Sequence, residues 1–279
     1  TNDGLDEKIV RRKDGTSVYM TQDIGLAQLK QKEFNTDASI YVVGDEQNYH
    51  FKVLKLICQK LQLPAADGIY HLSYGMIELP TGKMKSREGT VVDADDLVDE
   101  MIKISKEKTE ALGKVSDFTP AQLEELYNTI GLGALKFFLL RVDPKKKMIF
   151  NPEESIDFHG FTGPFIQYTH ARIKSILRKT GTAVTLTSNE LLPLEKQLAI
   201  ELSLFPAIIN EAADNLDPSK IAIYAFNLAK LFNTFYTEHS IANANTDTKK
   251  QLRIKIGILT AATLQKATGC LGIAVPEQM

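Results

Sequence analysis

Two apolar, β-rich runs on either side of one amphipathic segment constrain the fold of this chain more than any other feature. The run "SIYVVG" at residues 39–44 is β-branched and aromatic and ends in glycine, which is typical of a buried parallel strand. The run "GIYHLSYGMIELP", which begins at residue 68, is a further strand signal. The apolar side chains between the two runs recur near the helical period at Tyr49, Phe51, Leu54, Cys58 and Leu61. Because strand, helix and strand alternate at this spacing, we predict a parallel, right-handed α/β unit.

Strand and helix signals also lie on both sides of this pattern. The run "SVYM" at residues 17–20 predicts a short first strand, and "DIGLAQLKQKEF" after it predicts a helix. Residues 91–113 predict another helix, with acidic residues in its first turn and Gly113 just past its end. Three strands are too few for a doubly wound sheet, whose ligand crevice lies between two halves. We therefore expect a partial Rossmann-type domain whose first half is not in this chain.

The rest of the chain is predicted to be helical. Thr119-Pro120-Ala121-Gln122 forms a capping box with proline at the first helical position. Asp217-Pro218 and Gly163-Pro164 open two further helices, and Asp247 is expected to cap the last one. Pro206 is expected to bend or break the helix that contains it. Four or five amphipathic helices with short connections predict a bundle.

The domain boundary is expected in "RVDPKKKMIFNPEES", a charged connector with two prolines. The prediction is an α/β domain at residues 1–149 followed by an all-α helical bundle at residues 150–279. This fold class, α/β plus all-α, fits a chain that is 43% hydrophobic and 24% charged.

Composition and charge narrow the classes of function. Cys58 and Cys270 are far apart in apolar helical contexts, so we expect both to be buried small hydrophobes rather than metal ligands. No apolar run approaches the length of a membrane span and no signal peptide is present, so a cytoplasmic protein without a membrane partner is expected. The formal net charge of −2 argues against a uniformly basic nucleic-acid binder. Residues 160–279 nevertheless contain 12 Lys+Arg against 9 Asp+Glu, which favours them for any local nucleic-acid contact.

Polar residues follow the first two predicted strands. Tyr19 and Asp23 are expected at the end of the first strand, and Gln47 at the end of the second. Because ligands of parallel sheets bind beyond the carboxyl ends of the strands, these groups can converge on one crevice. An aspartate there can accept two parallel N–H bonds from a guanidinium, provided that no neighbouring side chain already bridges its oxygens. The alternative is that Asp23 is a helix N-cap and Gln47 a solvated first-turn residue. The nearby His50 is expected to be structural or exposed.

Two further segments allow a ligand reading and a structural one. In "HLSYGM", His71, Ser73 and Gly75 could line an adenine pocket, because glycine lets a ligand approach the backbone, or they could form a turn. The stretch "LPTGKMKSREGT" at residues 79–90 places Lys83, Lys85 and Arg87 between glycines, as either a polyphosphate loop or a solvated turn does. No Walker loop, G-x-G-x-x-G or Ser/His/Asp pattern is present.

Four motifs together resemble the arginyl-tRNA synthetases: "YMTQDIGLA", "YVVGDEQNYHF", "HLSYGMIELPTGKMKSREGTVV" and "GPFIQYTHARIKSIL". The resemblance covers nearly the whole chain, and the order and spacing of the motifs make it specific. It implies a class I aminoacyl-tRNA synthetase, with a Rossmann-type catalytic domain and a helical anticodon-binding domain. The activity implied is ligation: arginine is activated by ATP to arginyl-adenylate, and the arginyl group passes to the 3′ end of arginine tRNA.

The resemblance implies a role for each candidate residue of the first domain. The arginine side chain would be held by Tyr19, Asp23 and Gln47. The wall around adenosine would be formed by His71, Gly75 and Met76. The segment "KMKSREG" stands where class I enzymes carry their K-M-S-K-S loop, followed by helices that contact the tRNA stem. In this loop Lys83, Met84 and Lys85 would contact ATP, and the catalytic set would be Lys83, Lys85, Ser86 and Arg87.

The chain departs from the family pattern in two respects. Met84 is followed by Lys-Ser-Arg rather than Ser-Lys-Ser, so either Lys85 or Arg87 would replace the usual lysine. No H-x-G-H signature occurs in the chain, and in class I enzymes it lies in the first half of the domain. The sequence "DFHGF" around His159 is in the wrong place for it. We therefore expect this chain alone to lack ligase activity.

In the helical part, the resemblance implies that Phe165, Tyr168, Tyr236 and Met279 bind anticodon-loop bases. Phe165, Tyr168 and Arg172 fall at i, i+3 and i+7, so a core stripe is the alternative. The basic residues of the last helix could touch backbone phosphates or form a solvated face, which we favour for at least half of them: Lys249, Lys250, Arg253 and Lys255.

The expected small-molecule partners are arginine and ATP with Mg²⁺, without a prosthetic group or a protein-held metal. The expected macromolecular partner is arginine tRNA, and a monomer is expected. Three alternatives remain open at this point. Another class I synthetase, such as the cysteine enzyme, would be expected to show zinc-ligand cysteines. The others are a non-catalytic tRNA-binding module and a purely structural helical protein.

Overall fold

The computed structural model describes residues 4–5, 7–78, 93–113, 117–182, 184–185 and 190–279. The helices are α1 (Tyr19–Phe34), α2 (Asn48–Lys60), α3 (Ala94–Ala111), α4 (Pro120–Leu140), α5 (Pro152–Ser155), α6 (Gly163–Thr180), α7 (Pro193–Asn215), α8 (Ser219–Glu238) and α9 (Asp247–Cys270). The strands are β1 (Ser39–Gly44), β2 (Ile69–Tyr74), β3 (Ile77–Glu78) and β4 (Met148–Ile149). Across the described ranges, none of these helices has the length and apolar character that crossing a membrane requires.

The loop predicted to bind ATP lies outside the described residues, which break off after residue 78 and resume at 93. This applies to Lys83, Met84, Lys85, Ser86 and Arg87.

One compact unit comprises Thr1–Met76 and Pro144–Lys147. Its strands β1 and β2 are parallel, with Tyr41 opposite His71. Helix α2 packs on one face of this pair, where Tyr41, Phe51 and Cys58 belong to a buried core. The predicted parallel α/β unit is therefore confirmed.

The strand predicted at "SVYM" is wrong. Helix α1 begins at Tyr19, and Ser17 makes only an isolated bridge to Arg11. The apolar residues Met20, Ile24 and Ala27 contribute to the core at helical spacing, and burial of that face stabilises a helix here. Tyr19 and Asp23 consequently lie in the first turns of a helix rather than at a strand end. The N-cap is Val18, so the alternative that Asp23 is an N-cap is also wrong.

The third predicted strand run divides at Gly75. Strand β2 ends at Tyr74, and the two-residue β3 pairs in parallel with β4 instead. The Gly75 N–H donates to the Pro144 carbonyl at 2.7 Å. A Cβ at position 75 would lie 2.4 Å from the Lys146 carbonyl oxygen, which no side chain permits. The approach of a neighbouring backbone segment therefore accounts for glycine at this position.

One face of the β1–β2 sheet is apolar and exposed. Ile40 is 48% exposed and Val42 is 64% exposed, and Tyr70 and Tyr74 on the neighbouring strand are also exposed. Parallel sheets are usually covered on both faces, so this face is unusual for its class.

The second compact unit comprises Ile77–Asp143 and Met148–Met279. Helices α3, α4 and α5 surround one core that includes Met101, Ile130 and Phe150. Helices α6 to α9 surround a larger core that includes Leu228 and Phe232. The predicted helical bundle is confirmed. The division of the chain into domains 1–149 and 150–279 stays a prediction, since the two compact units divide the chain differently.

Most predicted helix ends are confirmed. The capping box of Thr119 and Gln122 forms, and Gly113 follows α3 with a φ of 69°. Helix α9 is capped by Thr246 rather than Asp247, because the Thr246 hydroxyl accepts from the Lys249 N–H. Helix α7 continues through Pro206, so a break there is excluded, and the alternative that Pro206 bends the helix stays a prediction. Missing a single N–H does not end a helix whose other turns are intact.

The two cysteines differ in exposure. Cys58 is buried in the α/β core, as predicted. Cys270 is exposed, so its predicted burial is wrong. It is the last residue of α9, where the helix ends at the surface.

Candidate functional site

A cavity of about 570 Å³ opens in the helical unit beside α6 and α8. Its walls come from four parts of the chain: Asp117 and Phe118; the α6 face from Tyr168 to Thr180; Tyr236 with the loop from Ser240 to Asn243; and Gln278 and Met279. Tyr168, Arg172, Ser175 and Lys179 recur at i, i+4, i+7 and i+11 of α6, which places them on one helix face. The cavity therefore follows a stripe of α6 that core packing leaves open.

Two tyrosines and an arginine form the centre of this cavity. The Arg172 guanidinium carbon lies 4.8 Å from the centroid of the Tyr168 ring and 5.7 Å from that of Tyr236. Both distances are within the range of cation–π attraction. The Arg172 side chain also donates to the Asn233 amide oxygen at 2.6 Å, and Asn233 donates to the Thr169 hydroxyl at 2.8 Å. The arginine is thus held from behind while it lies against both rings.

The exposure of these side chains permits contact with a ligand. Tyr236 is 38% exposed, and Tyr168 and Met279 are half-buried. Met279 also packs against the α3–α5 core, so its side chain lies between that core and the cavity. Aromatic faces suit stacking with a planar heterocycle, and the cations Arg178 and Lys179 on the same wall suit phosphate oxygens. These groups suit a planar heterocycle that carries a phosphate nearby.

Phe165 is not part of this cavity. It lines a separate cavity of about 540 Å³ together with Phe161 and Phe226. Its ring centroid lies 5.1 Å from that of Phe226, and the ring also packs against the bundle core. The structure therefore brings together three of the four residues predicted for the anticodon, and Phe165 lies apart from them.

Two basic residues on α9, the half-buried Lys249 and the buried Arg253, belong to an ion-pair cluster. Lys249 lies 2.8 Å and Arg253 lies 3.0 Å from the carboxylate of Glu195, which is fully buried. Burial opposes ionisation of Glu195, but hydrogen bonds from Lys249, the Leu192 N–H and Arg253 outweigh it and hold its pKa below the ordinary value. Arg253 is buried and therefore does not lie on a solvated face, whereas Lys249 is half-buried; contact of this helix with backbone phosphates stays a prediction. Lys250 and Lys255 are half-buried.

In the α/β unit, the candidate arginine site contains an internal bond. His50 Nε2 lies 2.6 Å from Asp23 Oδ2, and against a carboxylate this nitrogen is the donor. The bond joins the α1 face that carries Tyr19 and Asp23 to the start of α2, where Gln47 is exposed. Tyr19 itself is 78% exposed. The requirement that the Asp23 oxygens be unbridged is therefore not met at Oδ2, because histidine lies one turn into α2 and reaches the carboxylate.

Behind this pair, buried aromatic residues connect the strands to α2. The Phe51 ring contacts His50 edge-on at 5.5 Å and stacks on His71 at 4.4 Å. Tyr41 lies on the same side, and burial, followed by the nearby Cys58 and Asp23, raises the pKa of its hydroxyl. The Asp23–His50 pair is thus supported by packed rings.

Two of the residues predicted for adenosine are engaged with the protein itself. His71 Nε2 donates to the Val43 carbonyl at 2.9 Å while its ring stacks on Phe51. Gly75 is buried against the backbone of residues 144–147, and this close approach by itself accounts for glycine there, so a place beside adenosine stays a prediction. Met76 is half-buried. Nowhere in the described part of the chain do three or more His, Cys, Asp or Glu side chains form a possible metal site.

Sequence reasoning missed two residues that organise these sites. His50 was expected to be structural or exposed, although its place three residues after Gln47 puts it on the same helical face. Asn233 holds Arg172 across α6 and α8, and nothing in the local sequence indicates that contact. Arg172 was identified from its spacing with Phe165 and Tyr168, but as part of a possible core stripe rather than of a binding site.

Comparison with known proteins follows the division between the two folds. A family model described as "tRNA synthetases class I (R), catalytic domain" matches residues 3–151. A second, described as "DALR anticodon binding domain", matches residues 166–279. The chain is 53% identical to an arginine–tRNA ligase of Flavobacterium psychrophilum and 47% identical to one of Bacteroides thetaiotaomicron. All of this chain aligns, against 47% and 48% of those relatives, so it spans about half the length of the curated relatives it matches.

Solved structures give the same result for the fold. Arginyl-tRNA synthetase of Thermus thermophilus matches with a TM-score of 0.88 and 25% identity, over 99% of this chain and 52% of that one. The Plasmodium falciparum enzyme matches with a TM-score of 0.78 and 20% identity, over 97% and 46% of the two chains.

Proposed function

Because the chain belongs to the arginyl-tRNA synthetase family, we propose that the protein containing it is an arginine–tRNA ligase. In this proposal the ligase activates arginine with ATP and transfers it to arginine tRNA. The helical unit of this chain binds the anticodon loop of that tRNA. A cytoplasmic location, a Rossmann-type catalytic domain and a monomeric state are parts of the same proposal.

The observation that carries the proposal is the cavity in which Tyr168, Arg172 and Tyr236 meet. Its chemistry matches an unpaired base. The tyrosine rings offer faces for stacking, the Arg172 guanidinium is held by Asn233, and Arg178 and Lys179 line the same cavity. The cavity lies within residues 166–279, the part that matches the anticodon-binding family model. Tyr168, Tyr236 and Met279 are the proposed base contacts.

Arg172 would serve two purposes in this site. Its guanidinium lies against both tyrosine rings, which fixes the rings before tRNA arrives. Because guanidinium has five N–H donors, those not used by Asn233 can donate to a base edge or a phosphate. A site whose groups are held in place beforehand loses less conformational entropy on binding.

For the α/β unit, we propose that Tyr19, Asp23 and Gln47 hold the arginine side chain. His50 already donates to Asp23 Oδ2, so Oδ1 would meet the guanidinium and the pair would be held through one oxygen rather than two. The His50 bond then fixes the direction of the carboxylate. At Oδ1 the donor would be the charged arginine guanidinium, and a hydrogen bond between a charged donor and a carboxylate is stronger than one between neutral groups.

ATP and Mg²⁺ complete the proposed reaction. His71, Gly75 and Met76 border the proposed adenosine position, although the bonds of the first two to the protein reduce what they can offer a ligand. Lys83, Met84 and Lys85 are the proposed ATP contacts of the basic loop, and Lys83, Lys85, Ser86 and Arg87 its catalytic set. Mg²⁺ is usually bound through substrate phosphates with few protein ligands, and we assign it none here. When bound, it would spread the charge of the phosphates.

The test measures the affinity of the 279-residue chain for arginine tRNA. Tyr168→Ala should weaken binding by about 1–3 kcal/mol, the cost of one stacked base, whereas Tyr168→Phe should keep most of the affinity. Thermal unfolding of both variants controls for loss of fold. Unchanged affinity in a folded Tyr168→Ala variant would refute the proposed site. No tRNA binding by any form would leave this chain without the proposed anticodon function.

A further inference from the structure

The segment from Gly272 to Met279 lies along helix α6 and is bound to it at four positions. The α6 residues involved are Gln167, His170, Lys174 and Arg178, which recur at i, i+3, i+7 and i+11. This spacing puts all four side chains on one helix face. We call residues 272–279 the bound segment.

The contacts advance along the helix and the bound segment together. Gln167 Nε2 donates to the Ala274 carbonyl at 2.8 Å, and His170 Nδ1 donates to the Pro276 carbonyl at 2.9 Å. One turn further on, Lys174 Nζ lies 3.1 Å from a carboxylate oxygen of Glu277. Arg178 Nη1 donates to the Glu277 carbonyl at 3.0 Å. The bound segment thus runs parallel to α6 and is held mainly through its own main-chain oxygens.

The first two contacts are built into the interior. Gln167 and His170 are both fully buried. The same Gln167 amide also donates to the Thr129 carbonyl at 2.9 Å, which fixes the side chain between α4 and the bound segment. A Cβ at Gly133 would lie 2.3 Å from this amide nitrogen, so α4 carries glycine where the glutamine passes.

The far end of the bound segment forms part of the cavity wall. Gln278 and Met279 line the cavity, and Met279 also packs against the α3–α5 core. Their positions follow from where Pro276 and Glu277 are held, because only one or two residues separate them from the α6 contacts. The contacts at 274 and 276 are the buried ones, so they fix the course of the bound segment before the Glu277 contacts and the packing of Met279 on the α3–α5 core place its end at the cavity wall.

We propose that Gln167 and His170 are positioning residues for tRNA binding: by holding the carbonyls of Ala274 and Pro276, they place Met279 on the wall of the anticodon cavity. This inference rests on the proposed anticodon function of that cavity. Neither side chain lines the cavity, so both would act through Met279 rather than on the tRNA.

The test substitutes His170 in two ways. In His170→Asn, the amide nitrogen stands close to where Nδ1 was and can still donate to Pro276. In His170→Leu, volume is kept but the donor is lost. Loss of one hydrogen bond of about 1 kcal/mol corresponds to roughly a fivefold loss of affinity for arginine tRNA. We expect this loss in His170→Leu and largely restored affinity in His170→Asn. Equal affinities in the two folded variants would overturn the proposal.

A double-mutant cycle with Met279→Ala separates positioning from general stability. If His170 acts through Met279, the two substitutions together should cost little more than the larger single loss. Fully additive losses would contradict a role through Met279. Should His170→Leu not fold, the surface pair replaces it: Lys174→Glu should weaken binding, and Lys174→Glu with Glu277→Lys should restore it. The lack of either effect would count against the proposal.

The Tyr168→Ala variant, measured alongside, distinguishes the two possible failures. If Tyr168→Ala weakens tRNA binding but the His170 and Met279 losses are additive, only the positioning role fails. If Tyr168→Ala leaves binding unchanged, the anticodon function of the cavity fails, and the inference fails with it.

Discussion

At the scale of single residues, one side chain in each candidate site is held by a hydrogen bond with a neighbouring side chain. Asn233 holds Arg172 at 2.6 Å, and His50 holds Asp23 at 2.6 Å. Each partner restricts the side chain that it contacts to one direction. This restriction is what a binding group needs, because a fixed group loses little conformational entropy when the ligand arrives.

The Asp23–His50 pair leads to a prediction for the full-length protein that we propose to be a ligase. Asp23→Ala should raise the KM for arginine far more than the KM for ATP, because in the proposed site the lost carboxylate binds the arginine guanidinium and not ATP. His50→Gln should raise the arginine KM by a smaller factor, since the carboxylate remains but is less well fixed. Steady-state aminoacylation with each substrate varied separately checks both. Equal changes in the two KM values after Asp23→Ala would remove Asp23 from the arginine site.

The candidate residues also mark the limit of sequence reasoning at this scale. Tyr168 and Tyr236 could be named from the family resemblance, and their meeting in one cavity follows from helix packing that short motifs do not encode. Phe165 shares a helix face with Tyr168 by spacing, yet the Phe161 and Phe226 rings draw it into another cavity. Lys249 and Arg253 look like a free basic stripe until Glu195, more than fifty residues away in sequence, is found between them.

At the scale of elements, the Glu195 cluster ties three parts of the bundle together. The Glu195 carboxylate accepts hydrogen bonds from the Leu192 N–H at the start of α7 and from Lys249 and Arg253 of α9. Arg253 also donates at 2.6 Å to the carbonyl of Ser240, a residue of the cavity wall. A buried carboxylate therefore links the ends of two helices to the loop that borders the proposed tRNA site.

Glu195→Gln should be strongly destabilising, because it leaves two partly or fully buried cations without their counter-charge. Breaking a buried ion pair in this way typically costs about 3–5 kcal/mol. Denaturant unfolding measures the loss. The matched control is Glu211→Gln, which breaks the exposed pair with Lys220 and should change stability little. Equal effects of the two substitutions would show that the buried cluster contributes no more than a surface pair.

His170 on α6 predicts a pH dependence. Burial, partly opposed by the Pro276 hydrogen bond and Glu277 and assisted by Lys174, lowers its pKa below the ordinary 6.5. The unfolded chain therefore binds this proton more readily than the folded chain does, and folding stability should fall as pH drops below about 6.5. His170→Asn removes this titrating group, so the stability of the variant should depend less on pH. Stability curves measured between pH 7.5 and about 5 check it, and an identical slope in the variant would contradict it.

Helix limits and helix type were largely predictable, because they depend on local chemistry. The Thr119 capping box formed where expected, and Gly113 takes a positive φ just after α3 as expected. Both depend on residues only a few positions apart. The first strand was not, because "SVYM" satisfies strand and helix patterns alike. Burial of Met20, Ile24 and Ala27 against the α/β core decides between them, and that contact is tertiary.

At the scale of the whole molecule, fold class and family could be predicted from motif order, while the sheet was smaller than expected. Among the residues that the structure describes, two parallel strands form the sheet of the α/β unit, and one face of it bears the exposed side chains of Ile40, Val42, Tyr70 and Tyr74. The helical unit, by contrast, has continuous cores and a formed cavity. The proposed anticodon function therefore depends on the helical unit. The lack of ligase activity in this chain alone stays a prediction.

The most direct test of the central claim uses an isolated anticodon stem–loop of arginine tRNA and the 279-residue chain. The chain carries a ¹³C-methyl label on methionine, and the stem–loop is titrated in while the Met279 methyl resonance is followed. We predict that the hairpin alone binds and shifts this resonance, and that Tyr236→Ala weakens the binding. A hairpin that fails to bind or leaves Met279 unchanged, while whole tRNA binds, would show that the cavity between α6 and α8 is not the anticodon site.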